Sequence, residues 1–170
     1  MVIEDCATKA FRDTPILLDQ LVTTSRKSQK WKKTKLALQE RVLLYQIEGL
    51  KRFAGSKFSM ALMDRGGAST AYHTLPLLTS NNKEAVEATC EEIARMGQII
   101  FFSSLGILEK DSRYQKTLRE ISAEHRGIKH YLNRWKMNYL EINPIQKAER
   151  LKIGTLAVLD LANNLFKVTT

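Results

Sequence analysis

The side chains of this 170-residue chain that could serve as ligand, base or nucleophile are His73, His125, His130, Cys6, Cys90 and scattered carboxylates. His125 and His130 are five residues apart, so on a helix they occupy different faces and miss the i, i+4 spacing of a helical zinc pair. Cys6 and Cys90 lie far apart with no C-x-x-C spacing, which gives neither a disulfide framework nor a zinc site, and they read as buried thiols. The pairs Glu91, Glu92 and Glu120, Glu124 lack the Glu-x-x-His pattern of helical di-iron proteins and read as solvated faces. Arg65-Gly66-Gly67 could turn backbone N–H groups toward a phosphate, but it lacks the G-x-x-x-x-G-K-[ST] pattern and follows no strand. The expectation is a protein without catalytic residues, metal or cofactor, and not an enzyme.

The cationic side chains give the stronger signal. Lys plus Arg number 27 against 18 Asp plus Glu, a formal charge of +9, and the sequence pI is near 9.6. Such a field attracts polyanions. Thr23 to Lys35 holds Arg26, Lys27, Lys30, Lys32, Lys33 and Lys35 without an acid, as a loop or as the solvated start of a helix. Trp31, inside this run, either stacks on a base or staples the helix start to the core. A second group, Lys116, Arg119, Arg126, His130 and Arg134, falls within roughly 60° of one line at about 100° per residue. These two groups are the candidate nucleic-acid-binding residues, and arginine suits phosphate. Six phosphate contacts would give a log K against log salt slope of roughly −4 to −5. No recognition helix, zinc knuckle or paired RRM aromatics occurs, so the expected mode is backbone tracking, common to DNA and RNA.

The elements that must carry these residues read as helices. Hydrophobic residues make up 44% and charged residues 26%, enough for a packed core, while 8 Gly and 3 Pro are too few for a β-sandwich or barrel. Apolar positions recur at three and four residues, so the expected fold is all-α, a single helical bundle of about five to seven helices over residues 1–170. A short helix is expected over Ile3 to Arg12, and a second after a Thr14 cap with Pro15 at its first position. A long one runs from Leu36 through Phe53 and stops near Gly55, with another turn or two over Phe58 to Met63. Asp64 to Thr70 reads as a mobile loop. Ser80-Asn81-Asn82 caps a helix running from Lys83 to about Leu108, whose second half, IIFFSSLGIL, belongs mid-bundle. Within Glu109 to Ile142, Ile121, Ile128, Tyr131, Leu132, Trp135, Tyr139 and Ile142 form the inward side of a helix. Asn143-Pro144 ends it and starts the last helix, which carries Lys147, Arg150, Lys152 and then IGTLAVLDLANNLF. The start MVIEDCATKAFRD has no leader-like apolar run, and no stretch is long enough for a membrane span, so the expected location is cytoplasmic.

In size, charge, helical architecture and want of catalytic residues, the chain resembles the small subunits of CRISPR effector complexes (Cascade). That resemblance implies helical bundles stacked along the belly of the complex, with basic residues holding the guide–target duplex or the displaced strand. It also implies other subunits as partners, identical copies among them, with exposed apolar residues marking the shared faces. Asn143-Pro144 and Lys152-Ile153-Gly154-Thr155-Leu156 are similar to influenza-type matrix proteins, basic helical bundles that bind membrane and ribonucleoprotein. The alternative is therefore a matrix-like or adaptor protein that binds protein partners or acidic membrane surfaces.

Overall fold

A computed structural model describes residues 2–3, 6–58, 60–102, 117–142 and 147–167. Helices take up 74% of it, and the all-α expectation of five to seven helices holds. In chain order the elements are β1 (Val2–Ile3), α1 (Cys6–Asp13), α2 (Pro15–Thr23), α3 (Gln29–Ala54), β2 (Leu62–Met63) and α4 (Gly67–Thr74). A 3-10 turn (Leu75–Leu77), α5 (Ser80–Arg95), β3 (Ile99–Phe102), α6 (Leu118–Arg134), β4 (Tyr139–Ile142) and α7 (Lys147–Lys167) follow. The chain forms two compact units, residues 1–97 with 127–137, and 98–126 with 138–170.

In the first unit α3 is the spine. Trp31, Thr34, Leu38, Val42, Gln46 and Gly49 return to one side at three- and four-residue steps, and all are buried. Against them pack Ile3, Cys6, Ala7 and Ala10, with Phe11, Leu21, Tyr45, Leu50, Ala61 and Met63 around the edge. The small residues of α1 let it approach α3 closely. β1 and β2 pair in parallel, Val2 with Leu62 and Ile3 with Met63, where a helical turn over Phe58 to Met63 was expected. α4 crosses α5 at Gly67, where a Cβ would collide with the Cys90 carbonyl oxygen. Leu75, Cys90, Ile93, Ala94, Leu132 and Trp135 are buried in this unit as well.

Asp64 to Thr70 is not the loop its glycines suggest. Gly67, Ala68 and Thr70 are buried in the first turn of α4. Gln46, fully buried on α3, donates from Nε2 to the Arg65 carbonyl, and its Oε1 accepts from Thr70 Oγ1 at 2.9 Å. Arg65 has φ 59°, a conformation that an L-residue holds only where its surroundings fix it. The side chain of one buried glutamine thus anchors the turn.

Two helices end earlier than expected. α5 stops at Arg95, with the Met96 N–H bonding back to Glu92 and Ile93 just ahead of Gly97. The apolar run after it is a strand: β3 pairs in parallel with β4 from Ile99–Tyr139 to Phe102–Ile142. A short run rich in β-branched and aromatic residues suits a strand as well as a buried helix, and here the paired strand wins. α6 ends at Arg134 instead of continuing to Ile142. Met137 N–H bonds to Leu132 O at 2.9 Å and Lys136 N–H to Asn133 O at 3.0 Å. With Lys136 at φ 53°, this is a Schellman stop built on lysine in place of glycine. Leu132, Trp135 and Ile142 are nevertheless buried as expected, and Tyr131 and Tyr139 half-buried. In the second unit Phe101 meets the rings of His125 at 5.4 Å and Tyr139 at 6.2 Å. Expectations for residues 103–116 and for Asn143-Pro144 lie outside the described residues.

Candidate nucleic-acid interface

The basic run resolves into a turn and a helix start. Arg26 and Lys27 occupy the turn between α2 and α3, while Lys30, Lys32, Lys33 and Lys35 lie in the first two turns of α3. Ser28 caps the helix, its side-chain oxygen accepting the Trp31 N–H at 3.1 Å. Trp31 is 9% exposed, so it staples the helix start to the core and does not present a face for base stacking. The Lys35 ammonium lies 4.9 Å from the Trp31 ring centroid, over its outer side, and Lys35 is half-buried. Arg26, Lys27, Lys30, Lys32 and Lys33 are exposed, and Lys27, Lys30, Lys32 and Lys33 have no ion pair among the described residues.

The first turn of α3 contains no acid. Helix N-termini carry partial positive charge from unsatisfied N–H groups, and lysines there add to it, each at a cost of about 0.3–1 kcal/mol at low ionic strength. An anion placed beside this turn relieves both the dipole and the lysine cluster. Farther along the outer side of α3, Arg41, Lys51 and Arg52 are exposed, interleaved with exposed Glu40 and Glu48. These three were absent from the sequence-based candidates, and their helical offset from Lys30 is the signal that finds them. The first unit carries eighteen Lys and Arg against eleven Asp and Glu, so +7 of the +9 net charge is there.

The second candidate group is less uniform. Lys116 lies outside the described residues. Arg119 and Arg126 are exposed in the second unit and carry no ion pair among the described residues. His130 is exposed in the first unit, edge-on to Tyr131 at 5.6 Å. Arg134 is committed elsewhere: its Nη1 lies 2.9 Å from Glu87 Oε1. It lines an open groove of about 440 Å³ with Glu84, Glu87, Glu91, Arg95 and Trp135. There Arg95 donates from Nε to Glu91 at 3.1 Å and from Nη2 to the Trp135 carbonyl at 2.9 Å. With Lys136 the groove holds three cations against three carboxylates, and Arg95 and Arg134 are paired with glutamates of α5.

The potential nucleophiles sit in structural positions. Cys6 and Cys90 are buried, and neither is in a disulfide. Burial, with a smaller push from Glu87, raises the Cys90 thiol to about 12, the opposite of an activated cysteine. Among the described residues no three His, Cys, Asp or Glu side chains gather as a metal site, and no helix is long and apolar enough to cross a membrane. Comparison with known family profiles, curated proteins and solved structures gives no match.

Proposed function

We propose that this protein is a non-catalytic nucleic-acid-binding subunit of a larger ribonucleoprotein assembly, gripping the phosphate backbone at the start of α3. The observation that carries the reading is the exposed set Lys27, Lys30, Lys32 and Lys33, without carboxylate partners among the described residues, on a helix start fixed by Trp31 and Ser28. Contacts to phosphate carry no sequence information, so binding is of low sequence specificity. The role is that of the Cascade small subunits, which hold a guide–target duplex or a displaced strand.

A salt titration of binding to single-stranded and duplex oligonucleotides tests this. Four phosphate contacts predict a log K against log salt slope of about −3 on single strands and nearer −4 on duplex. The triple substitution Lys30→Glu, Lys32→Glu, Lys33→Glu flattens the slope and abolishes binding at physiological salt. An unchanged slope removes the interface from α3. Arg119→Glu with Arg126→Glu, made separately, measures what α6 adds.

One observation favours a second reading. α2 is an apolar helix with no buried residue, and its Ile16 and Val22 are 71% and 60% exposed. Its Gln20 Oε1 accepts from Thr34 Oγ1 of α3 at 3.3 Å, which ties α2 to the helix whose start carries the lysines, and Val22 lies four residues before Arg26. Exposed aliphatics beside lysines suit an acidic membrane surface. Sedimentation with vesicles containing phosphatidylserine separates the two: on the membrane reading Ile16→Ser with Val22→Ser releases the protein from vesicles and leaves oligonucleotide binding unchanged.

A further inference from the structure

Trp31 is withdrawn into the core at the start of α3, and the aromatic ring the molecule does expose stands just past the other end of that helix. Among the residues whose side chains are described, Phe58 is the one exposed aromatic, at 52%. The turn that carries it folds back on the last turn of α3. Gly55 N–H donates to Lys51 O at 3.1 Å and Ser56 N–H to Phe53 O at 3.0 Å. The Ser56 hydroxyl donates to the same Phe53 carbonyl at 2.8 Å and accepts the Phe58 N–H at 3.3 Å. Hydrogen bonds of the turn, and not burial of the ring, therefore hold Phe58 in place.

The charge around the ring has one sign. Lys51, Arg52 and Lys57 are exposed and carry no ion pair among the described residues, and no carboxylate occurs between Glu48 and Asp64. Lys51 and Arg52 lie in the last turn of α3, where cations offset the partial negative charge of a helix end. Lys57 lies beyond the helix, so the dipole does not account for it. Eighteen residues separate Lys33 from Lys51, which is five full turns, so both lie on one line of α3 about 27 Å apart. Glu40 and Glu48 are exposed between the two ends, which makes them separate cationic points on one helix.

We propose that Phe58 is a base-stacking side chain and that Lys51, Arg52 and Lys57 hold the adjoining phosphates, so that this end of α3 takes single-stranded nucleic acid in preference to duplex. An aromatic ring stacks on any base, because every base has a π-face, but only where that base is free of its neighbours, as in a single strand. Cations on the flanking backbone complete the pattern. A bilayer gains little from one ring, which needs several apolar side chains beside it, whereas one ring suffices for one base. The proposal rests on the nucleic-acid reading of α3 and names the form of ligand that reading leaves open.

Binding of the full chain to a labelled single strand and to the matching duplex, by wild type, Phe58→Ala and Phe58→Trp, is the test. Phe58→Ala weakens single-strand binding between about fivefold and a hundredfold. It leaves duplex binding unchanged and keeps the log K against log salt slope, because no charge is lost. Phe58→Trp restores the affinity, and its added emission is quenched by the single strand alone. An abasic strand of the same length binds wild type as weakly as the intact strand binds Phe58→Ala. Equal affinity of wild type and Phe58→Ala overturns the proposal, as does an equal loss on strand and duplex, or an abasic strand that binds as tightly as the intact one. Loss of sedimentation with phosphatidylserine vesicles in Phe58→Ala, with strand binding intact, overturns it in favour of a membrane contact. If Phe58→Ala is silent while the Lys30, Lys32, Lys33 triple variant still abolishes binding, the stacking contact fails alone; a wild type that binds neither form ends both readings.

Discussion

At Gly67 a methyl group has nowhere to go, because the position a Cβ would take is occupied by the Cys90 carbonyl of α5. Gly67→Ala must push two backbones apart, and overpacking of this kind costs about 1–3 kcal/mol or more; a fall in the urea midpoint measures it. Cys90, at the same crossing, holds its proton far above neutral pH because burial disfavours the thiolate. In a Cys6→Ser background, a thiol reagent at pH 8 should therefore react on the order of a thousandfold more slowly with folded than with unfolded protein, the ratio of thiolate populations. Equal rates would mean that the α4–α5 crossing opens readily. On α1, the Tyr45 hydroxyl donates to Asp13 Oδ2 at 2.9 Å. That bond, helped by Arg12, holds the Asp13 carboxyl below its ordinary range, while the same bond raises the Tyr45 phenol. A depressed carboxylate contributes stability above the unfolded-state value near pH 4 and loses it as pH falls through the folded value. Tyr45→Phe should move the Asp13 titration upward by NMR and remove that segment of acid sensitivity.

Helix ends are where the elements depart most from expectation, and they depart for a local reason. The run Tyr131 to Ile142 has helical spacing throughout, yet Lys136 takes the left-handed position that closes α6. No glycine or asparagine stands there to announce it. Lys136→Gly should relieve this strain and stabilise the protein by about 1 kcal/mol, read as a higher thermal midpoint; a loss instead would mean that the lysine side chain holds the turn. The strand β3 was illegible for a related reason: its partner β4 is distant in sequence, and IIFF alone suits a buried helix equally well. The α4 turn was misjudged because Arg65-Gly66-Gly67 reads as a flexible loop, while the Gln46 side chain that pins it lies some twenty residues away on α3. Burial itself was easier to read. The inward positions of α3 and the buried trio Leu132, Trp135 and Ile142 follow from the spacing of apolar residues, whichever backbone carries them.

At the scale of the whole molecule, charge is distributed by unit and by face. Most of the net +9 belongs to the first unit, and within that unit the α5 wall balances Glu84, Glu87 and Glu91 with Arg95, Arg134 and Lys136. Clustering of Lys30, Lys32 and Lys33 was legible from the linear sequence because neighbours in the chain stay neighbours on a helix start. The commitment of Arg134 to Glu87 was not, because α5 and α6 meet only in the fold. Substituting Arg134 by Glu therefore sets like charges together and disturbs α5 as well as any ligand, which makes the α3 lysines the cleaner probe. Under the proposed function, oligonucleotide binding should slow amide hydrogen exchange over residues 26–36 and leave α7 unchanged. Protection spread evenly over the chain would argue for diffuse attraction instead of a defined grip.

Trp31 stands beneath the very lysines assigned to phosphate, with its indole in the apolar interior and the Lys35 ammonium resting on its ring. The protein thus carries its own fluorophore beside the proposed interface. Drawing Lys35 off the ring toward an incoming anion changes the emission, so occupancy of the α3 start can be followed by light in unlabelled protein, with Trp135 of the other wall as the internal reference.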